Sequence, residues 1–182
     1  MAKHSMKCHP DTPAKTVDEF TVDVERHEND RIWVRYHVEA PVDALELGFP
    51  RGPQRRDGLW KTTCFEAFVM EAGSSSYLEF NFAPSSEWAA YSFADYREAM
   101  AELPMPTQPA LGNDASQSHF ALEAKFELPH AFADKDLVMA ITAVIEERDG
   151  TKSYWSLAHP AGAPDFHHPD CFTLRLPARA EP

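Results

Sequence analysis

The chain has 182 residues, enough for one ordinary domain whose core needs no disulfide or structural metal to hold it. With 17 Lys plus Arg against 29 Asp plus Glu, its net charge of -12 argues against a polyanionic partner and excludes nucleic acid as the expected ligand. Aromatic residues make up 12%, and 15 prolines against 7 glycines suit short strands joined by proline-bearing loops better than a helical bundle.

Residues 1–17 are polar and proline-containing and read as an N-terminal arm ahead of a single domain over 18–178, with 179–182 as a tail. Met1 to Pro10 lacks the apolar run of a signal peptide and no later stretch reaches the length of a membrane span, so a cytoplasmic protein without a membrane partner is expected. Cys8, Cys64 and Cys171 stand far apart with no CxxC, which fits reduced thiols. Composition and motifs leave the oligomeric state open.

Phe20, Val22 and Val24 alternate with polar residues, and after the turn His27 to Asp30 comes Ile32-Trp33-Val34-Arg35-Tyr36-His37-Val38, together predicting an antiparallel hairpin. Ala44 to Leu47 is a shorter candidate strand. Pro50 to Gly58 is a loop rich in arginine, glycine and proline that delivers the chain to Trp60. In the strand that follows, period-2 alternation puts Thr62, Cys64, Glu66, Phe68 and Met70 on one face and Thr63, Phe65, Ala67 and Val69 on the other. A carboxyl thus stands where a core would take hydrocarbon, while Cys64 reads as a small packing residue.

Gly73 to Ser76 turns the chain into Tyr77 to Ala83, with Leu78, Phe80 and Phe82 on one face and Tyr77, Glu79 and Asn81 on the other. Trp88 to Phe93 follows a short turn and completes a three-stranded meander. Asp95 with Glu98 predicts either one helical turn or extended chain, and an arginine such as Arg97 at the end of an element is ordinarily a surface residue. Met105 to Ser116 reads as a long crossing loop.

Phe120 to Leu128 alternates cleanly, with its polar face toward solvent, and Leu137 to Ile145 is apolar on both faces, as a central strand covered twice would be. Asp149-Gly150 turns the chain into Ser153 to Leu157, and Cys171 to Leu176 closes the domain. An all-β fold is predicted, an antiparallel β-sandwich of about ten strands.

Two groups of residues carry chemistry. Glu66, Glu79 and Asn81 share one face of consecutive strands, with Trp60 and Trp155 as flat aromatic platforms. Sugar recognition needs this combination, an aromatic plane for the apolar face of a pyranose and carboxylate or amide groups for its hydroxyls; a merely solvated sheet face is the competing explanation. The second group is the proline-clamped loop His159 to Asp170, with three histidines and two aspartates in twelve residues. His159, Asp165 and His167 suit structural hydrogen bonds or a pocket wall better than a metal site, because adjacent side chains in extended chain point apart. Motifs of nucleophilic or phosphoryl chemistry are missing: there is no G-x-S-x-G, no Gly-rich phosphate loop and no H-E-x-x-H. A metal-assisted hydrolase using the histidine loop is the least favoured function.

The residues also resemble a family. Cys8-His9-Pro10, Leu59-Trp60 leading to Thr63-Cys64-Phe65-Glu66, Tyr77 to Pro84 with Trp88 and Tyr91, Trp155 to Pro160, and Pro164-Asp165-Phe166-His167 look like bacterial cytosolic proteins with a DOMON-like domain, related to family 9 carbohydrate-binding modules. The resemblance spans most of the chain. It implies a β-sandwich whose concave sheet face binds a sugar or a haem. In the sugar-binding relatives a tryptophan shortly before a glutamate contacts the saccharide, as Trp60 and Glu66 would here, with Trp155 or Phe166 as the second aromatic. In the haem-binding relatives a methionine and a histidine or lysine hold the iron, for which Met70 and a C-terminal histidine stand here. The function expected is therefore a non-catalytic saccharide-binding module with no cofactor, and the alternative is a haem-binding electron-transfer or sensor domain.

Overall fold

In the computed structural model the described residues are 3–28 and 30–178, so the tail expected at 179–182 lies outside them. Among the described residues thirteen antiparallel strands form two sheets. They are β1 (Lys3–Ser5), β2 (Lys7–Cys8), β3 (Glu19–Arg26), β4 (Arg31–Glu39), β5 (Cys64–Glu71), β6 (Tyr77–Phe82), β7 (Trp88–Phe93), β8 (Ala101–Glu102), β9 (Ala110–Ala115), β10 (His119–Glu127), β11 (Leu137–Glu146), β12 (Lys152–Ser156) and β13 (Leu174–Leu176). The smaller sheet has the order β1-β3-β4-β10-β9, and the larger runs β2-β12-β11-β5-β6-β7-β8, with β13 paired to β11. This is the predicted sandwich, and no described helix is long and apolar enough to cross a membrane.

Alternation in sequence becomes sidedness in space. Phe20, Val22, Val34, Tyr36 and Val38 of the smaller sheet meet Phe65, Ala67, Val69, Phe80 and Phe82 of the larger in one interior. Phe65 lies 5.0 Å from the Tyr36 ring and stacks on Phe120, and each such buried side chain stabilises by roughly 1.5–3 kcal/mol. Tyr36 also crosses the interior to donate its hydroxyl to the Glu66 carbonyl at 2.8 Å. That bond fixes the phase of β5, and with it the face on which the Glu66 carboxyl emerges.

The outer faces of the sheets differ. On the smaller sheet β4 alternates, with Ile32, Val34, Tyr36 and Val38 buried and Arg31, Trp33, Arg35, His37 and Glu39 turned outward, all but Trp33 polar. The larger sheet has a second apolar layer on its outer side: Cys64, Phe68, Tyr77, Tyr91, Ala140 and Val144 are covered by Leu59, Phe166 and Cys171 from flanking loops. Double coverage is why β5, β6 and β11 are buried along nearly their whole length.

Several segments depart from the sequence expectations. The polar N-terminal segment enters both sheets, with β1 on β3, β2 on β12, and Met6 buried between them. Ala44 to Leu47 is not a strand: a single 3-10 turn at Val42–Ala44 leads into an isolated bridge between Leu45 and Glu147. The crossing loop Met105 to Ser116 contains β9, an exposed edge strand on β10 with little apolar content to announce it. Asp95 and Glu98 bridge across a tight turn in which Arg97 has φ 55°, neither a helical turn nor extended chain.

Candidate functional site

The second layer on the larger sheet does not close completely. It leaves a cleft of about 360 Å³ lined by Trp60, Glu66, Glu79, Phe93, Arg97, Met100, Val144, Tyr154, Pro164, Phe166 and His167. Strands supply the floor and loops supply the walls.

The floor follows from register. Glu66 on β5 stands opposite Asn81 on β6 and Thr142 on β11, while Glu79 stands opposite Phe68 and Tyr91. Glu66 and Glu79 are therefore diagonal neighbours on one face, close enough for their charges to interact. Thr142 Oγ1 donates to Glu66 Oε2 at 2.9 Å and Asn81 Nδ2 donates to Glu79 Oε1 at 2.7 Å. Only 3% of Glu66 and 5% of Glu79 is exposed. Burial is the main cause that pushes the Glu66 carboxyl far above the usual carboxylate range, and the Glu79 charge adds to it against the Thr142 bond. Burial raises Glu79 as well, opposed by the Asn81 bond and by the Arg97 charge.

The walls are held by a chain of side-chain bonds. His167 comes from the proline-clamped loop, and its Nδ1 accepts the Tyr77 hydroxyl at 2.8 Å. The same Tyr77 oxygen accepts the Arg97 N–H at 3.1 Å, so its own proton is free to point at the imidazole. The remaining imidazole proton then sits on Nε2, 3.8 Å from Glu79 Oε2. Burial, helped by the Arg97 charge, lowers His167 to about 4, so the ring is neutral near physiological pH. Arg97 Nη2 donates to Asp165 Oδ1 at 2.7 Å and the Tyr96 hydroxyl reaches Asp165 Oδ2, locking the turn at 95–98 against the loop at 164–168. The left-handed backbone at Arg97 aims its side chain at this partner, at a cost of about 1 kcal/mol.

Trp60 forms the rim. Gly58, at φ 77°, opens a single 3-10 turn over Leu59–Lys61 that sends Leu59 inward and leaves Trp60 38% exposed. The indole meets Tyr91 edge-on at 6.1 Å, and the Tyr91 hydroxyl is anchored on Asp57.

The predicted site residues separate into three groups. Trp60, Glu66, Glu79, Phe166 and His167 line the cleft together. Asn81 and Asp165 stand behind it, Asn81 buried and bonded to Glu79, Asp165 bonded to Arg97. Trp155 and His159 are corrections. Trp155 faces the opposite way, into the sandwich interior, with its ring 5.4 Å from Phe20 and its indole N–H on Ser153. Its neighbour Tyr154 takes the cleft side and packs on Phe166. His159 lies on the flank, bonded to the Lys7 carbonyl at 2.8 Å and edge-on to His9, where it pins the N-terminal segment.

Sequence reasoning missed Phe93, Met100, Val144 and Tyr154 and set Arg97 aside as surface. Phe93 and Val144 share strand faces with Glu79 and Glu66 and were open to the same period-2 argument.

Among the described residues no group of three or more His, Cys, Asp and Glu side chains is placed to hold a metal ion. The loop side chains are committed elsewhere, His168 for example accepting the Asp170 N–H. A haem does not fit these residues either. Met70 is not among the side chains lining the cleft, both nitrogens of His167 face protein partners, and two buried carboxyls occupy the floor.

No family model and no curated protein matches this chain in sequence. Solved structures match it in shape. A candidate carbohydrate-binding protein from Bacteroides uniformis aligns with a TM-score of 0.69 at 16% identity, over 94% of this chain and 84% of the other. A family 9 carbohydrate-binding module from Caldicellulosiruptor kristjanssonii, solved in complex with glucose, aligns with a TM-score of 0.53 at 10% identity, over 82% and 71%. The likeness to family 9 modules is thus present in the fold, while the DOMON-like resemblance rests on the sequence motifs alone.

Proposed function

We propose that this protein is a non-catalytic binding module for a small saccharide, held in the cleft between Trp60 and the Glu66 and Glu79 floor. The observation that carries the reading is the pairing of an exposed indole with two buried carboxyls across one cavity. A pyranose presents an apolar face that stacks on an aromatic plane and a rim of hydroxyls that donate to carboxylates, and the cleft offers both within one ligand's reach. At about 360 Å³ it stands at the small end of ligand pockets, sized for one or two sugar rings rather than a polysaccharide chain. The architecture shared with carbohydrate-binding structures, one of them holding glucose, supports the same ligand class.

Calorimetric titration with a panel of mono- and disaccharides tests the proposal. Binding of at least one member that weakens by about tenfold or more in Trp60→Ala is the expected result. A panel without binders, or binding indifferent to Trp60→Ala, contradicts it.

A further inference from the structure

We infer that the cleft selects an amino sugar, a small saccharide carrying a protonated primary amine, with the ammonium against Glu66 and Glu79 and the ring against Trp60. The inference deepens the saccharide reading above and rests on it.

Two carboxyls lie side by side at the bottom of an aromatic cleft, and no Lys or Arg among the described residues comes within 4.0 Å of either. Among the described residues each has a single ordinary donor, Thr142 for Glu66 and Asn81 for Glu79, and both donors are neutral. Glu66 is 97% buried, yet it lines the cleft, and no donor among the described residues reaches its Oε1. Buried carboxyls elsewhere in the chain are satisfied differently: Glu87 accepts Arg56 and Ser85 and lies close to Arg51, and Glu147 accepts two backbone N–H groups. Ionising a carboxyl without a partner in a site this dry is costly, and a positively charged ligand is the group that favours its ionised form.

The nearby cationic side chain does not supply this. Arg97 reaches the cleft wall, but its guanidinium is bound by Asp165 at 2.7 Å, whose other oxygen takes the Tyr96 hydroxyl. His167, 3.8 Å from Glu79, is neutral and offers one N–H. An ammonium brings three donors and one positive charge, matching the open Oε1 of Glu66 and the exposed side of Glu79. A sugar hydroxyl brings one donor and no charge. The walls favour the same ligand, because Trp60, Tyr154 and Phe166 set aromatic side chains around the floor, and aromatic rings attract cations.

Titration calorimetry at neutral pH with glucosamine, N-acetylglucosamine, glucose and 2-aminoethanol separates the possibilities. Glucosamine should bind about tenfold or more tightly than glucose and N-acetylglucosamine, and that preference should collapse in both Glu66→Gln and Glu79→Gln, with folding of each variant checked by its thermal transition. Equal or tighter binding of glucose or N-acetylglucosamine overturns the amine preference and leaves the saccharide reading standing. Binding of 2-aminoethanol with no sugar bound by the protein overturns the amino-sugar assignment through the saccharide reading itself. Silence from all four overturns the assignment as well.

Discussion

The Tyr77 hydroxyl donates to His167 Nδ1 across 2.8 Å, joining a strand in the middle of the larger sheet to a loop 90 residues later. The bond sets the ring plane and tautomer of His167, and through Arg97, whose backbone N–H reaches the same oxygen, it also fixes the turn at 95–98. Two walls of the cleft therefore depend on one hydroxyl.

Tyr77→Phe keeps the ring, which stacks on Phe93 at 4.8 Å and contacts Phe68 and Phe172, and removes only that oxygen. Two donors or acceptors lose their partner, so the variant should be less stable by about 1–3 kcal/mol in urea denaturation. Ligand affinity should fall too, because the loop loses its register over the floor.

The two tryptophans should respond in opposite ways. Trp60 is 38% exposed on the rim and Trp155 is 6% exposed in the interior. Trp60→Ala is expected to change stability by no more than about 0.5–1 kcal/mol while weakening binding, whereas Trp155→Ala should cost about 3–5 kcal/mol of stability through the cavity it leaves beside Phe20. Paired denaturation and titration curves on both variants check the contrast.

The contrast between Tyr154 and Trp155 also marks where the sequence runs out. In β5 and β6 the alternation is unambiguous, and Phe65, Ala67 and Val69 are legible as interior because Glu66 between them would be costly there. Ser153-Tyr154-Trp155-Ser156 has no such asymmetry: both central residues are aromatic, both flanks are serine, and only the β11 register, with Trp155 opposite Ala143, decides which ring faces the cleft. The position of Arg97 depends on a left-handed turn and on Asp165, far along the chain, and local sequence encodes neither. β9 is not legible in the sequence because an exposed edge strand needs no apolar face.

Stability should carry two pH signatures of opposite sign. Glu66 and Glu79 have folded values raised above the unfolded value of about 4.3, so the fold binds more protons than the unfolded chain and loses stability as pH rises past that value. His167, lowered to about 4 from an unfolded value of about 6.5, does the reverse, and its contribution is lost as pH falls through that window. Glu66→Gln keeps an oxygen for Thr142 and removes the buried charge. It should match wild type near about pH 4 and exceed it by roughly 1–3 kcal/mol near about pH 8 in denaturant titrations.

Interior packing should be unforgiving at β5. Phe65 is fully buried between Tyr36, Phe20 and Phe120, one contact from each of three strands of the opposite sheet. Phe65→Ala is expected to cost about 3–5 kcal/mol, measured as a lowered denaturation midpoint with an unchanged slope.

The most direct test of the binding cleft uses the indole N–H signals of a 15N-labelled protein during titration with glucosamine and with the saccharide panel. Trp60 lies on the cleft rim, while Trp88 and Trp155 are buried in the sandwich interior, so each reports on a different place. Saturable displacement of the Trp60 resonance, with those of Trp88 and Trp155 unmoved, is the predicted result. A ligand that binds while Trp60 stays still, or a panel that moves no indole, contradicts the cleft as the site.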